Sequence, residues 1–405
     1  MQFKLSPAML GVAVSVALLG TIMGSLCSGF TADALDRRCS LLASELLYLV
    51  AASGAALSPS FDWFVLFRFF CGASIGIISV VAPMYLAEIA PARLRGRVVG
   101  SFQLNVGVGV VSAFSFSYLV SHYVPAGTAW RCSLGCGAIP ALVSATFLFR
   151  ASQSPRWLAL KGRFAESRCA LVALGSEDPD ADQACLKSAL DEFGASQRTP
   201  LFSRQYARPI FLAVSIAVFN QLTGVNVLMY YVLDIFTELG SGHLNGRRDA
   251  ILVAAMGLIA TTIAVSVIDK LGRKPLLLTG AAGMGICLVT LPAIRFFGLP
   301  ASLVVIVLLC YSSFFAFSQG TVIWVYLSEI FPLPVRARGQ SMGSVVHWVA
   351  NALITGAFPL IASHAGLSVF VALATMMAVQ FFVILLLYPE TRHMSLEAAA
   401  SAMSK

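Results

Sequence analysis

The chain has 405 residues, of which 58% are hydrophobic and only 11% are Asp, Glu, Lys or Arg, against roughly 25% charged residues in a soluble domain. Eleven apolar runs of about 20 residues would use more than half of it, which excludes a soluble enzyme, a secreted disulfide scaffold and a disordered tail. The net charge of +8 lies in short clusters between apolar runs, with no basic stripe interleaved with aromatics, so it reports membrane topology and not nucleic acid.

Spans are predicted at 8–30, 40–57, 63–87, 98–121 and 131–150, then at 209–236, 250–268, 275–297, 302–330, 338–362 and 367–388. The first run is too long for the core of a cleaved signal, and its strong basic pair, Arg37 and Arg38, follows it. That pattern marks a spanning helix whose C-terminal end faces the cytoplasm. Alternating sides from there puts 21 of the 27 basic residues on one face, so the C-terminus is expected inside. The expectation is a multi-pass protein of the plasma or cell inner membrane. Nine cysteines lie mostly within or beside apolar segments, with no CxxC pair and no His at zinc spacing. No metal or cofactor is expected.

Four regions follow: an N-terminal bundle of five spans (1–150), a cytoplasmic loop with short amphipathic helices at 164–174 and 181–193 (151–208), a C-terminal bundle of six spans (209–388) and a cytoplasmic tail (389–405). Repetition explains the uneven split. Glu88-Ile89-Ala90-Pro91 with Arg95 recurs 241 residues later as Glu329-Ile330-Phe331-Pro332 with Arg336, and Asp33 with Arg37-Arg38 recurs 236 residues later as Asp269 with Arg273-Lys274. Two parallel halves of this kind mark a duplicated transporter. By the same offset, the first-half counterpart of span 209–236 falls before Met1.

Moving an uncharged polar solute through lipid calls for uncharged donors and acceptors near the midplane. Amides suit this, since each offers both and costs less to bury than a charge. Span 209–236 carries Asn220, Gln221, Thr223 and Asn226 within seven residues. On a regular helix Asn220, Thr223, Asn226 and Tyr230 share an arc of about 120°. Gln221 lies outside it unless a break at Gly224 turns it inward. A lone amide often serves as helix–helix glue, but four polar groups beside a glycine point to a lined path. Trp324, mid-span, is either an interfacial aromatic or an indole that can stack on a flat apolar face of the solute and donate one hydrogen bond.

The motifs, taken together and in order, resemble the sugar porter branch of the major facilitator superfamily. They are Arg68-Phe-Phe-Cys-Gly72 leading to Glu88-Ile-Ala-Pro-Ala-Arg-Leu-Arg95-Gly-Arg97, Gln103 with Gly107, Ser154-Pro-Arg156-Trp-Leu158, Gln221-Leu-Thr-Gly-Val-Asn226, Asp269-Lys-Leu-Gly-Arg273, Trp348 with Asn351, and Pro389-Glu390-Thr391-Arg392. The resemblance implies an all-α membrane fold of two helical bundles, with this chain starting at the family's second span. It implies alternating-access transport of a hexose or pentose, by proton-coupled symport or facilitated diffusion, and no enzymatic activity. A polyol, inositol or cyclic acid is the alternative cargo, and a truncated sensor or relic the alternative role.

The resemblance also implies site residues. Gln103, Trp348 and Asn351 match sugar-contact positions, and Trp324 stands five residues before Glu329 as the family's sugar-contacting Trp does. His347 is a ligand contact, a titrating group or a satisfied core histidine. Two departures bear on specificity: Asn220-Gln221 replaces the usual Gln-Gln, and Gly257 stands where an Asn is usual. A cytoplasmic charge latch is implied for Asp33, Arg37, Glu88, Arg95 and Arg156 facing Asp269, Arg273, Glu329, Arg336, Glu390 and Arg392, with ion pairs that hold one state closed. Asp36 in place of Gly, and Gln153 in place of Glu, predict a weaker latch in the first half. Arg68, near the outer mouth, is either a snorkelling interfacial residue or the proton-coupling arginine.

Overall fold

A computed structural model describes residues 7–192, 200–226, 243–300, 302–365, 368–394 and 396–399. The described residues are almost wholly helical and contain no strand. In the first half run α1 (Pro7–Leu35), α2 (Arg37–Leu57), α3 (Phe61–Ile89), α4 (Arg95–Tyr123), and the pair α5 (Ala126–Gly135) and α6 (Ala138–Leu148). Three short helices follow on the loop, α7 (Pro155–Leu160), α8 (Phe164–Ala173) and α9 (Pro179–Glu192). The second half holds α10 (Ala207–Leu222), α11 (His243–Leu271), α12 (Arg273–Phe296), α13 (Ser302–Phe315), α14 (Thr321–Glu329), α15 (Arg336–Ala365) and α16 (Ser368–Leu387).

Among the described residues nine segments are long and apolar enough to cross a membrane. Of the other two predicted spans, 209–236 passes beyond the described residues after Asn226, and 338–362 lies on the 30-residue helix α15.

Three predicted spans are interrupted. The run 131–150 breaks at Cys136–Gly137, between α5 and α6. The run 302–330 breaks at Ala316–Gly320, a single wide turn that joins α13 to α14. Wide turns of this kind insert one residue into the helical ladder and free backbone carbonyls. The run 209–236 breaks after Leu222: Gly224 has φ +81°, a left-handed conformation that needs no compensation only in glycine.

α1 packs on α3 through two small-residue stripes, Gly20 and Gly24 against Gly72 and Gly76. A Cβ on any of the four would strike a main-chain carbonyl of the facing helix. Without a hydrophobic driving force in lipid, such backbone approach is a main source of helix association. The two halves meet along α1 with α15 and along α4 with α11, and these seams enclose the polar groups described next.

Candidate functional site

The break at Gly224 shapes the midplane cluster. Gln221, buried near the end of α10, is its hub, and the left-handed turn at Gly224 brings Asn226 back against it. Gln221 Oε1 accepts from Asn226 Nδ2 at 2.7 Å and from Asn351 Nδ2 on α15 at 3.2 Å. Its Nε2 donates to Asn220 Oδ1 at 3.2 Å and lies 3.1 and 3.2 Å from the two ring nitrogens of His347. Thr223 secures the turn: its hydroxyl donates to Asn220 O at 2.8 Å and accepts from Val225 N at 3.2 Å, while Tyr311 OH donates to Thr223 O at 2.5 Å.

A row of rings adjoins these amides. Trp324 lies 5.2 Å from His347, and His347 lies 5.2 Å from Trp348. Trp324 Nε1 donates to Gln103 Oε1 on α4 at 3.1 Å, and Trp348 Nε1 to Ser79 Oγ on α3 at 3.2 Å. Both indoles therefore bridge the two halves. Asn220, Gln221, Asn226, His347 and Asn351 thus fall in one network, with Gln103, Trp324 and Trp348 along its edge. Tyr230 lies outside the described residues.

Two further residues, Gln319 and Ser79, border this network, and a third, Glu45, lies between α2 and α6. Gln319 is fully buried in the wide turn; its carbonyl accepts from Asn220 Nδ2 at 3.2 Å, and among the described residues neither atom of its side-chain amide has a hydrogen-bond partner. Ser79 holds Trp348. Glu45, inside the span α2, accepts from Ser144 Oγ at 3.0 Å. Sequence reasoning missed all three. A Gln or Glu within an apolar run is a usable signal; Ser79, one serine among many in the spans, offers none. Arg68 is half-buried on α3 beside Tyr48 and Cys71, and among the described residues it makes no ion pair.

At the cytoplasmic end the sequence repeat closes into the same cage twice. In the first half Arg37, fully buried, pairs with Glu88 at 3.0 Å and Asp33 at 3.4 Å and donates to Ala32 O, while Ser154 Oγ donates to Glu88. In the second half Arg273 pairs with Glu329 at 2.8 Å and Asp269 at 3.1 Å and donates to Ile268 O, while Thr391 Oγ1 donates to Glu329.

These pairs close within each half rather than across the seam. What crosses the seam is different. The Asp269 carboxylate accepts from Gly96 N and Arg97 N, both at 2.9 Å, at the N-terminus of α4, where free N–H groups and the helix dipole favour an anion. Arg95 donates to Met394 O at 2.9 Å. Arg156 pairs with Glu397 at 3.0 Å. Arg336, fully buried, donates through Nε to Phe331 O and makes no ion pair among the described residues. Glu390 binds main-chain N–H groups of Arg273, Lys274, Thr391 and Arg392, and Arg392 donates to Lys270 O.

Glu397 was not singled out in the sequence. Burial alone would push its carboxyl up, but Arg156 and Arg336 overcome that and hold it down to about 2, from an ordinary 4.5. A depressed acid stabilises the folded form above the unfolded value and loses that contribution as pH falls through the folded one. Docking of the 396–399 segment is therefore expected to be firm above about pH 4.5 and to lose about 3 kcal/mol as pH falls toward about 2. Amide exchange of these residues, referenced to intrinsic rates, checks this; protection unchanged between pH 5 and 3 would contradict it.

Comparison with known proteins places the whole chain. The profile of a family described as "Sugar (and other) transporter" matches residues 3–402. A D-xylose transporter of Levilactobacillus brevis is 33% identical over 407 residues, covering 98% of this chain and 88% of that protein. A galactose-proton symporter of Escherichia coli (strain K12) is 33% identical over 409 residues, covering 95% and 84%. Among solved structures, the proton:xylose symporter XylE bound to 6-bromo-6-deoxy-D-glucose superposes with a TM-score of 0.92 at 27% identity, covering 99% of this chain and 91% of that one. The inward-open conformation of the E. coli xylose transporter XylE gives 0.73 at 27% identity, covering 98% and 91%. The chain is thus further from the inward-open arrangement, in keeping with the closed contacts at its cytoplasmic end.

Proposed function

Since this chain belongs to the sugar transporter family of the major facilitator superfamily and is a multi-pass membrane protein, we propose that it carries a monosaccharide, a hexose or a pentose, by alternating access. The observation that carries the reading is the Gln221 hub: four amides and an imidazole from α10, the turn after it and α15 converge on one point, beside two indoles that bond to Gln103 and Ser79 of the first half. Sugar hydroxyls can replace these mutual hydrogen bonds one for one, so binding costs little net desolvation. The indoles of Trp324 and Trp348 offer flat apolar faces to the ring carbons.

The bundles 1–150 and 209–388 rock about this site, with the loop 151–208 and the tail 389–405 on the cytoplasmic side. On that side the cages around Arg37 and Arg273 keep each bundle rigid, and the Asp269 contact to α4, with Arg156–Glu397, joins the bundles while the cytoplasmic side is shut. The relatives named as proton symporters favour coupling to a proton, with Arg68 as the arginine concerned. The cargo is a solute and the chemistry non-covalent, so no enzymatic activity is assigned.

A larger or cyclic polyol is the second reading, and one observation favours it. At Gly257, where the family usually has an Asn, a Cβ would already sit in ordinary contact with Ser312 Oγ at 3.6 Å and Ala316 Cβ at 3.9 Å, so what a cargo gains there is the volume and the amide of the missing side chain.

The test is uptake of radiolabelled D-xylose, D-glucose and myo-inositol into proteoliposomes. Asn226→Ala is expected to abolish saturable uptake of the preferred cargo while membrane insertion survives. Unchanged uptake kinetics in that variant would overturn the site assignment, and saturable uptake of myo-inositol alone would favour the second reading.

A further inference from the structure

The two halves repeat a turn that only one of them satisfies. Gly272, between α11 and α12, has φ +98° and ψ 169°; 236 residues earlier, between α1 and α2, Asp36 has φ +76° and ψ 154°. This region of backbone space is essentially reserved to glycine. In the second half Gly272 leaves space for Glu390, whose carboxylate receives four main-chain N–H groups at 2.9 to 3.0 Å. In the first half the corresponding loop carries Gln153, and the carboxyl sits on the turn itself as Asp36.

Asp36 is fully buried and, among the described residues, neither of its oxygens has a hydrogen-bond partner. They face the backbone N–H groups of Arg37 and Ser154 without reaching hydrogen-bonding geometry with either. The charged and titratable groups around it come from every neighbouring element: Asp33 on α1, Arg37 and Arg38 on α2, Tyr85 and Glu88 on α3, Arg156 on α7 and Arg163 beyond it. The nearest cation, Arg37, is already shared between Glu88 and Asp33, and Arg38 is turned to the carbonyls of Leu148 and Phe149. A third carboxylate in this cage has no cation of its own. Burial accordingly pushes the Asp36 carboxyl up, with Glu88 adding to the shift and Arg37 opposing it.

From this geometry we infer that Asp36 is a proton-binding site on the cytoplasmic gate, through which cytoplasmic pH sets the balance between shut and open forms. With the gate shut, Asp36 is held away from water and keeps its proton. When the halves part, α7 loses its packing on residues 333–335 and the Arg156–Glu397 pair, the Ser154 turn that covers Asp36 is freed, and the carboxyl, now reached by water, ionises and releases its proton to the cytoplasm. The shut form binds more protons, so a low pH favours it and a rising pH favours opening. A single group changes the open-to-shut ratio by at most about tenfold per pH unit between its two pKa values. The inference rests on the rocking movement proposed above.

The experiment uses the full chain in nanodiscs, with native cysteines replaced and spin labels at Arg93→Cys and Leu271→Cys, on either side of the Gly96–Asp269 contact. The distance between the labels is recorded from pH 5 to 8.5, with and without saturating D-xylose and D-glucose. The expected result is a short-distance population that shrinks as pH rises. That dependence is expected to disappear in both Asp36→Gly and Asp36→Asn, which remain mostly shut. Asp36→Gly restores the residue the backbone favours, so it guards against a folding failure. Sugar-driven separation of the labels with no pH dependence would overturn the proton site and leave the rocking reading intact. A slope that persists in Asp36→Asn would assign it to another group and overturn the inference equally. No movement with either sugar or pH would bring down both.

Discussion

Gln221→Ala is expected to lower kcat/KM for sugar uptake by about 10²-fold while the chain remains folded. The Gln221 amide is the one side chain that touches Asn220, Asn226, Asn351 and His347 together. Truncating it removes the bonds that orient four other groups toward the cargo. Two to three net hydrogen bonds at about 1 kcal/mol each amount to about 3 kcal/mol, which is roughly 10²-fold in rate. Uptake kinetics in proteoliposomes, with thermal stability measured alongside, decide the matter. A loss below about threefold would remove Gln221 from the path of the sugar. A loss that follows stability would make it a structural residue.

The second large effect is expected at Arg273. Its guanidinium is buried between Asp269 and Glu329, themselves buried and sharing that one cation. Arg273→Met keeps the volume and removes the charge, leaving two carboxylates facing each other away from water. Breaking a buried pair from one side typically costs about 3–5 kcal/mol, most of it the unpaired charge left behind. The unfolding midpoint in detergent is expected to fall accordingly. Arg273→Met combined with Glu329→Gln is expected to recover a large part of the loss, because one of the stranded charges is gone. If the double variant were no more stable than the single one, charge would not be what holds this end of the bundle together.

How much of this was legible from residues alone varies with range. The helices were, because an apolar run of about 20 residues has few other options in a membrane. The internal repeat was legible too, and the structure turns it into matching cages around Arg37 and Arg273 down to the carbonyls of Ala32 and Ile268. The break itself was readable at Gly224, since glycine marks where a helix can change direction, but Gln221 is buried while still in regular helix, without the inward turn that its spacing implied.

Sequence spacing could not show which charges pair. The order Asp33, Arg37, Glu88 is compatible with pairs inside a half or across the seam, and only packing decides. Gln319 stands out as a polar residue in an apolar run, but its place beside Asn220 depends on the wide turn at Ala316–Gly320, which has no local signature. Glu397 escaped notice because its partner Arg156 is 241 residues away. The burial of Asp36 is set by α3 and the turn at Ser154, which no local pattern around position 36 encodes.

The contact between Asp269 and the start of α4 has a consequence for how this protein can vary. Its two donors are main-chain N–H groups, of Gly96 and Arg97, so almost any side chain at position 97 leaves the grip in place. Proline at 97 would delete one donor, and any larger residue at 96 would drive a Cβ into the Asp269 carboxylate. The acceptor is a single side chain, which one nucleotide change can remove. Drift can therefore rewrite the surface of α4 freely while the gate keeps working. At this one contact, inheritable change in grip has two narrow doors, position 96 on one bundle and position 269 on the other.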